Sequence, residues 1–291
     1  MALASVVIAT HNRASLLRDC LAALGRQNAE ANFEVVVVDN GSVDDTPAVI
    51  AAAGERVRGL TVADPNRAKA RNAGIAAARG SIVIFCDDDT VAPPAFVAEH
   101  LRAHENGGPA VVSGPIINVP DSATKLAPDA RHYSRAFFCT CNVSVPKQEL
   151  FDAGLFDERY DLYGWEDTDL GIRLRERGLR RIFAWSAYLY HIKPADATTL
   201  ERRRALAREK GTMAARFVRK APRWPVRLAT GAYAANFARA ALVHARPLRA
   251  VYEKVVTIAP AGSLASSLAV EALVDAAYVD ALQEALRHSQ P

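Results

Sequence analysis

The chain has 291 residues, half of them hydrophobic, which is enough to bury a substantial core in one large domain or in one domain with an appendage. This composition excludes a disordered chain, and the four cysteines lack the spacings of a zinc site or a disulfide framework. The net charge of +4 is unevenly divided, with 20 Lys and Arg against 24 Asp and Glu in residues 1–191 and 16 against 8 in residues 192–291.

The N-terminal segment does not read as a signal peptide, because the apolar run after Ala4 reaches the polar residues from Thr10 to Arg13 within a few positions. The longest uncharged stretch near the C-terminus is broken by Pro260 and Gly262, so no transmembrane helix is predicted. Unpaired cysteines are typical of a reducing cytoplasm, which is the expected compartment.

The first 86 residues alternate between short apolar runs and segments with helical periodicity. Strands are predicted at Val6–Ala9, Glu34–Val38, Leu60–Val62 and Ser81–Cys86. Helices are predicted after Arg13, from Thr46 with Pro47 at the first turn, and from Arg67 to Arg79 before Gly80. The alternation predicts a mostly parallel sheet with right-handed crossovers and helices on both faces.

Polar residues follow the predicted strands at their carboxyl ends, where open α/β sheets bind ligands. They are Thr10, Asn12 and Arg13, then Asp39, then the triplet Asp87, Asp88 and Asp89. Adjacent carboxylates repel each other, so the triplet is either a solvated turn or the site of a bound cation. The chain has no Gly-x-Gly-x-x-Gly after its first strand and no P-loop, which argues against dinucleotide and P-loop proteins.

A second acidic cluster lies in the first turn of a helix predicted from Glu166 to Gly178. The helix dipole alone would explain Glu166, Asp167 and Asp169 there. Aromatic residues beside carboxylates are also a common way to hold a sugar. Tyr163 and Trp165 lie just before the pair Glu166 and Asp167.

The flanking segments add two further predictions. Residues 136–145 are β-rich and 147–153 form a short helix, and a later β-type stretch, 181–190, ends at His191. A histidine there is either a packed residue or a metal ligand beside the Asp triplet.

Six motifs then occur in a characteristic order. They are Ser5-Val-Val-Ile-Ala-Thr-His-Asn-Arg13, Val36-Val-Val-Asp-Asn-Gly-Ser42, Ala70-Arg-Asn-Ala-Gly74, Ile84-Phe-Cys-Asp-Asp-Asp89, Gly164-Trp-Glu-Asp-Thr-Asp169 and His191. The ordered series resembles the inverting family 2 glycosyltransferases with the GT-A fold and covers about residues 3–192. The resemblance implies an α/β GT-A domain with a mostly parallel central sheet at 1–192. It does not extend to residues 193–291, whose charge and composition predict a basic, mainly helical extension.

The resemblance also implies a role for each matched residue. Nucleotide-sugar binding falls to Thr10, Asn12, Arg13, Asp39, Arg71, Asp87 and Asp88, with Asp39 on the base and Asp87 near the ribose. Metal binding falls to Asp89 and His191, whether the motif is Asp87-x-Asp89 or Asp88-Asp89. Catalysis falls to Asp167 as the base, and acceptor binding to Glu166, Trp165 and Tyr163.

These roles predict a metal-dependent inverting enzyme. A divalent cation, Mn²⁺ or Mg²⁺, stabilises the diphosphate leaving group of a UDP- or dTDP-sugar while the base deprotonates the hydroxyl of a saccharide or lipid-linked acceptor. The alternatives are a non-catalytic nucleotide-sugar-binding protein of this fold and a sugar nucleotidyltransferase, although the expected glycine-rich loop is missing.

The extension is strongly basic, with 14 Lys and Arg against 3 Asp and Glu in residues 201–254. It is either a helical appendage with a solvated basic face or a surface for anionic lipid on the inner face of the plasma membrane. The lipid hypothesis uses Arg202, Arg203, Arg204, Arg208, Lys210, Arg216, Arg219 and Lys220. A homo-oligomer is compatible with the pattern, whereas no motif supports nucleic-acid binding.

Overall fold

The computed structural model describes residues 4–28, 32–105, 107–194, 199–260 and 262–288. The chain divides into two compact units. The first contains residues 1–161 and 166–195, and the second contains residues 162–165 and 196–291. A four-residue segment that directly precedes Glu166 therefore belongs to the second unit.

The strands of the first unit form two sheets. The strands are β1 (Ala4–Thr10), β2 (Phe33–Asp39), β3 (Val57–Thr61), β4 (Ile82–Cys86), β5 (Thr90–Val91), β6 (Ala110–Ser113), β7 (Ile116–Val119), β8 (Asn142–Pro146), β9 (Arg180–Phe183) and β10 (Leu189–Ile192). The larger sheet has the order β3-β2-β1-β4-β8-β6-β9, and the smaller one has the order β5-β10-β7.

The first unit also contains six helices within its described residues. They are α1 (Ala14–Gly25), α2 (Thr46–Ala51), α3 (Arg67–Ala77), α4 (Phe96–His104), α5 (Lys147–Asp152) and α6 (Glu166–Glu176). A single 3-10 turn, Ala130–His132, lies between β7 and β8. Apolar side chains on both sides of the large sheet form two buried clusters, as expected for a sheet covered on both faces.

Strand pairing explains which residues meet at the functional edge of the sheet. The strand β1 runs parallel to β2 and β4, and Thr10 pairs in register with Asp39. The strand β8 is antiparallel to β4, with Cys86 opposite Asn142. Because antiparallel strands exchange ends, the residue that follows β4 lies beside the residue that precedes β8.

Close packing of α3 on the sheet requires a glycine. A Cβ atom at Gly74 would lie 2.5 Å from Val7 Cγ1 and 3.2 Å from Val38 Cγ2, so any side chain there would push the helix away. Arg71 lies almost one turn earlier on the same helix. The glycine of the Ala70–Gly74 motif thus fixes the height of Arg71 above the sheet.

Two sequence predictions in the second half of the first unit were wrong in their bounds. The β-rich stretch at 136–145 becomes a strand only from Asn142, and the residues before it form a loop. The single strand predicted at 181–190 is two strands that belong to different sheets, with His191 inside β10. Periodicity does not show such a break, because both halves have the same apolar character.

The second unit is helical. Its helices are α7 (Leu200–Lys220), α8 (Trp224–Thr230), α9 (Ala234–Val243), α10 (Arg246–Ile258) and α11 (Leu264–Arg287). The helices α7 and α11 approach closely at Gly211, where a Cβ would lie 2.3 Å from the carbonyl oxygen of Tyr278. Within the described ranges, every helix is too short or too polar to cross a membrane.

The GT-A fold predicted from the sequence is consistent with this architecture, since the neighbouring strands β3, β2, β1 and β4 are parallel and β8 lies antiparallel between β4 and β6.

Candidate functional site

The Asp triplet lies at the carboxyl end of β4 and is held by residues that follow β1. Thr10 Oγ1 donates a hydrogen bond of 2.7 Å to Asp88 Oδ2. One terminal nitrogen of Arg13 lies 3.0 Å from Asp88 Oδ1 and 2.6 Å from Asp89 Oδ2. The arginine therefore offsets the repulsion between neighbouring carboxylates that made the triplet unusual in the sequence.

The same contacts give two carboxyls of the triplet different acidities. Burial raises the pKa of Asp88 to about 6, although Arg13 and the Thr10 hydroxyl oppose the shift. Burial also opposes ionisation of Asp89, but its contacts with His191 and Arg13 outweigh it and lower the pKa. Asp89 is therefore the more firmly ionised of the two.

A group of potential metal ligands lies beside the triplet. Asp87, Cys141 and His191 each offer one ligand atom, and these atoms lie within 4.8 Å of one another. The buried Oδ1 atom of Asp89 lies 3.2 Å from His191 Nε2. Carboxylate oxygens with an imidazole nitrogen are donors that divalent cations accept, so the residues present fit a bound cation.

Arg71 connects the triplet to the second acidic cluster. Its terminal nitrogens lie 3.0 Å from Glu166 Oε1, 3.5 Å from Asp167 Oδ1 and 4.0 Å from Asp87 Oδ1. The resemblance implies a role for Arg71 near the nucleotide or its phosphates, and in the structure it is paired with protein carboxylates. Its guanidinium is almost fully buried, with 11% of the side chain exposed.

Asp167 is fixed by the loop before β8. The Thr140 backbone N–H and hydroxyl donate hydrogen bonds of 2.8 Å and 2.9 Å to Asp167 Oδ2. Asp167 Oδ1 and Glu166 Oε2 are buried and accept no hydrogen bond from the described residues. Burial raises the pKa of Asp167 to about 6, against the opposing effect of Arg71. A carboxylate with this pKa is ionised at neutral pH and is also basic enough to accept a proton.

Two further residues predicted to bind the nucleotide-sugar, Asn12 and Asp39, shape the loops after β1 and β2. Asn12 adopts a left-handed backbone conformation with φ 52°. Its backbone N–H donates a hydrogen bond of 2.9 Å to Ser42 Oγ, and its side-chain Oδ1 accepts one of 2.8 Å from the Val43 N–H. Asp39 Oδ1 accepts from the Ser42 N–H at 2.9 Å and borders a cleft of about 310 Å³. A left-handed non-glycine residue is held there by these bonds, which is common at functional loops.

The two aromatic residues predicted for the acceptor lie in the second unit. The Trp165 indole N–H donates to the Lys210 carbonyl at 2.9 Å, and its ring lies 5.8 Å from that of Phe217. Tyr163 is 40% exposed, and its backbone N–H donates to Glu209 Oε2 at 3.2 Å. Trp165 is thus engaged in packing within its unit, whereas the Tyr163 ring is the more accessible of the two.

Several residues around the site were missed in the sequence. Thr140, Cys141, Asn118 and Asn142 lie next to it, and Asn142 Nδ2 donates to the carbonyls of Pro115 and Ala187 at 3.0 Å and 2.9 Å. The cluster Cys139-Thr-Cys-Asn142 within the predicted β-rich stretch was the available signal. It could not be used without knowing that this strand runs antiparallel to β4.

Comparisons with known sequences identify a family. The model of "Glycosyl transferase family 2" matches residues 5–156. Validoxylamine A glucosyltransferase of Streptomyces hygroscopicus subsp. jinggangensis is 33% identical over 220 residues, covering 61% of this chain and 52% of that protein. The uncharacterized glycosyltransferase YfnE of Bacillus subtilis is 30% identical over 239 residues, covering 60% of this chain and 61% of that protein. The chain thus spans roughly half to three fifths of these relatives.

Solved structures confirm the fold class. The mannosyltransferase PcManGT from Pyrobaculum calidifontis, in complex with GDP-Man and Mn²⁺, matches with a TM-score of 0.64 at 21% identity, covering 99% of this chain and 87% of that one. S. aureus TarS 1–349 in complex with UDP-GlcNAc matches with a TM-score of 0.56 at 17% identity, covering 98% and 90% of the two chains. At these identities the likeness concerns the GT-A fold and its helical C-terminal region.

Proposed function

The chain belongs to glycosyl transferase family 2, and from this premise we propose that it is a metal-dependent inverting glycosyltransferase. It would transfer a sugar from a nucleoside-diphosphate-sugar to an acceptor hydroxyl, within the GT-A domain expected at residues 1–192. The observation that carries the proposal is the partly buried Asp167, held by Thr140, whose inner oxygen accepts no hydrogen bond from the described residues.

On the acceptor side, Asp167 is the proposed base. Its Oδ1 atom is available to accept the proton of an attacking hydroxyl, and Glu166 Oε2 is available to bind a second group of the acceptor. Tyr163 and Trp165 are the proposed aromatic neighbours of the acceptor sugar. A single base acting opposite the leaving group gives one displacement, and hence inversion at the anomeric carbon.

On the donor side, Asp89 and His191 are the proposed metal ligands, and Thr10, Asn12, Arg13, Asp39, Arg71, Asp87 and Asp88 are the proposed nucleotide-sugar contacts. A bound Mn²⁺ or Mg²⁺ would supply charge to stabilise the diphosphate leaving group. Arg71 lies 4.0 Å from Asp87 and 3.0 Å from Glu166, so its positive charge serves both halves of the site.

The donor proposed first is a UDP- or dTDP-sugar with a saccharide or lipid-linked acceptor, as in the synthesis of a cell-surface polysaccharide or glycolipid. The matched proteins cover several donors and products, since one is bound to GDP-Man, another to UDP-GlcNAc, and a relative is named a glucosyltransferase. GDP-sugars therefore belong in any donor screen.

The proposal is tested by incubating the full chain with a panel of UDP-, dTDP- and GDP-sugars, with Mn²⁺, Mg²⁺ or a chelator. We expect release of nucleoside diphosphate from at least one donor in the presence of acceptor sugars, and loss of this release with the chelator. Donor binding without any turnover would identify a non-catalytic binding protein instead. Formation of a nucleotide-sugar from a nucleoside triphosphate and a sugar phosphate would identify a nucleotidyltransferase.

Calorimetry tests the metal assignment separately. Asp89→Ala removes a hard oxygen ligand, so the variant is expected to lose the donor affinity that depends on Mn²⁺. Asp121→Ala is a matched control, because that carboxylate lies in an exposed loop and caps Thr124. Unchanged metal-dependent affinity in Asp89→Ala would return the triplet to a solvated turn.

We also propose peripheral attachment to an anionic membrane surface through the second unit. Some of the basic side chains first considered for this role pair internally, since Arg203 lies 2.6 Å from Glu271 and Arg204 contacts Glu253. Large apolar side chains of the same unit are exposed instead: Trp224, Leu228, Leu242, Leu248, Val251, Ile258, Leu264 and Leu268. Exposed apolar side chains in a unit of net positive charge suit a lipid interface.

Liposome co-sedimentation over a range of anionic lipid content and salt tests the attachment. We expect pelleting at low salt that weakens as ionic strength rises. A fraction of the binding should persist at high salt because it depends on apolar contact. A double variant, Ile258→Ser with Leu264→Ser, should lose this salt-insensitive binding. An absence of pelleting at low salt would leave the extension as a structural or oligomer-forming appendage.

A further inference from the structure

Cys141 occupies an unexpected position for a cysteine. Its Sγ atom lies within 4.8 Å of a carboxylate oxygen of Asp87 and a ring nitrogen of His191. Its side chain is buried, and it is the residue just before β8. The antiparallel register, with Cys86 opposite Asn142, brings it beside the first aspartate of the triplet. The contact therefore follows from the topology of the sheet rather than from local sequence.

Arg13 contacts Asp88 and Asp89, so Asp87 is the carboxylate of the triplet that remains open to a further cation. Arg13 contacts Asp88 Oδ1 and Asp89 Oδ2, at 3.0 Å and 2.6 Å. Asp87 Oδ1 lies 4.0 Å from the guanidinium of Arg71. A cation near the triplet would consequently meet Asp87, with the inner Oδ1 of Asp89 close to His191.

A neighbouring side chain already orients one of these ligands. Asn118 Oδ1 lies 3.1 Å from His191 Nδ1, which fixes the imidazole ring. A supporting bond of this kind is typical around a metal-binding histidine, since it sets the orientation of the ring. The backbone carbonyl of Asp87 accepts a hydrogen bond of 2.7 Å from Thr90 Oγ1 and a longer one from Cys20, which hold the turn after β4.

The three ligand atoms are near enough to share one ion after a small rearrangement. Bonds of about 2.3 Å to sulfur and about 2.0 to 2.2 Å to nitrogen or oxygen place two ligands of a tetrahedral ion about 3.5 Å apart. The ligand atoms of Asp87, Cys141 and His191 lie within 4.8 Å of one another, so displacements of about an ångström would bring them to this separation.

We propose that Cys141 is a thiolate ligand of the metal ion, together with Asp87 and His191. Because thiolates favour Co²⁺, Zn²⁺ and Cd²⁺ over Mg²⁺, the sulfur would give this site a preference for softer ions. The inference rests on the proposed function only in that a divalent ion is bound there. It adds Cys141 and Asp87 to the proposed ligands Asp89 and His191, and it adds a metal preference.

The test is a Co²⁺ titration of the full chain without donor or acceptor, followed by absorption spectroscopy and calorimetry. Co²⁺ bound to a thiolate gives a charge-transfer band in the near ultraviolet, whereas oxygen and nitrogen ligands do not. We expect this band in the wild-type protein and in Cys139→Ser, the matched control two residues away. We expect the band to be lost in both Cys141→Ser and Cys141→Ala. The same result from two substitutions shows that the loss is not caused by a folding defect of one variant.

The relative affinity for Cd²⁺ and Mg²⁺ gives a second measurement. The ratio of the affinity for Cd²⁺ to the affinity for Mg²⁺ should be about 10-fold or more lower in Cys141→Ser than in the wild type. A loss of about 10-fold is the lower end of the range found when residues around a metal are replaced. A wild-type protein that binds Co²⁺ without the band, or that binds no Co²⁺, overturns the proposal, as does a band that persists in both Cys141 variants. Failure of sugar transfer with the band intact would count against the proposed function alone.

Discussion

The two carboxylate clusters of the site are each neutralised by one arginine, but in different ways. Arg13 bridges Asp88 and its neighbour in the triplet, and 46% of its side chain is exposed. Arg71 bridges Glu166 and Asp167 with only 11% of its side chain exposed. An exposed ion pair is screened by water and is weakly stabilising. In a buried ion pair, removing one charge leaves the other buried without a counter-charge, which is strongly destabilising.

The difference suggests a division of tasks. The partly exposed Arg13 has room to move if the proposed cation and diphosphate bind at the triplet. Arg71 lies on α3 with its side chain almost fully buried, and it partly opposes the rise in the pKa of Asp167 caused by burial. Replacing charges on each side distinguishes these tasks.

The largest expected effect is the destabilisation caused by Arg71→Met. This change leaves the buried Glu166 and the partly buried Asp167 without their cation, and breaking a buried pair in this way costs about 3–5 kcal/mol. The free energy of unfolding is measured by urea denaturation at neutral pH. Arg71→Lys, which keeps the charge, should recover part of the loss. A loss below about 1 kcal/mol in Arg71→Met would show that this pair behaves like a surface pair.

The second prediction concerns turnover. Asp167→Asn keeps an oxygen that can accept the two bonds from Thr140 but removes the base, so kcat should fall about 100-fold or more while donor affinity changes little. Steady-state kinetics and calorimetry measure the two quantities. Glu166→Gln is the matched comparison, with an expected effect mainly on KM for the acceptor. If Asp167→Asn retains turnover, the base is elsewhere, and Glu166 is the first candidate.

The third prediction follows from the pKa of Asp167, which burial raises to about 6. A base must be ionised, so kcat should be constant above about pH 7 and fall about tenfold per unit below pH 6. Because Arg71 lowers this pKa, Arg71→Lys or another variant with a more distant charge should move the fall to higher pH. A rate that does not change between pH 5 and 8 would argue against Asp167 as the base.

The smallest expected effect is that of Arg13→Met on stability. This arginine is nearly half exposed, and the Thr10 hydroxyl still donates to Asp88 after its removal. We expect a loss of about 1 kcal/mol or less in urea denaturation. A loss as large as that of Arg71→Met would remove the contrast between the two clusters.

Much of the site was predictable because strand ends in a parallel sheet share one edge. The pattern of apolar runs placed Thr10, Asp39 and the Asp triplet at successive strand ends, and the pairing of β1 with β2 and β4 brings them together. The acidic pair at the start of α6 was equally visible in the sequence. The catalytic, binding and metal roles assigned to these residues remain predictions.

Other contacts depended on long-range pairing that no local pattern contains. The partners of Arg71 are 95 and 96 positions away, and Thr140 reaches Asp167 across 27 positions. A single arginine on an alanine-rich helix gives no indication of which carboxylates it will meet. The segment 162–165 likewise packs in the second unit although it directly precedes the acidic pair.

The sequence by itself determined the order of strands and helices in the first 86 residues, the family resemblance and the positions of both acidic clusters, because these depend on hydrophobic periodicity and on residues adjacent in the chain. The tertiary structure alone decided that β8 inserts antiparallel beside β4, and so which residues surround the clusters. That insertion brings Thr140 to Asp167 and Cys141 to Asp87, and burial then sets the pKa of Asp167. Strand register and desolvation are properties of the folded chain, since they arise from contacts between residues far apart in sequence.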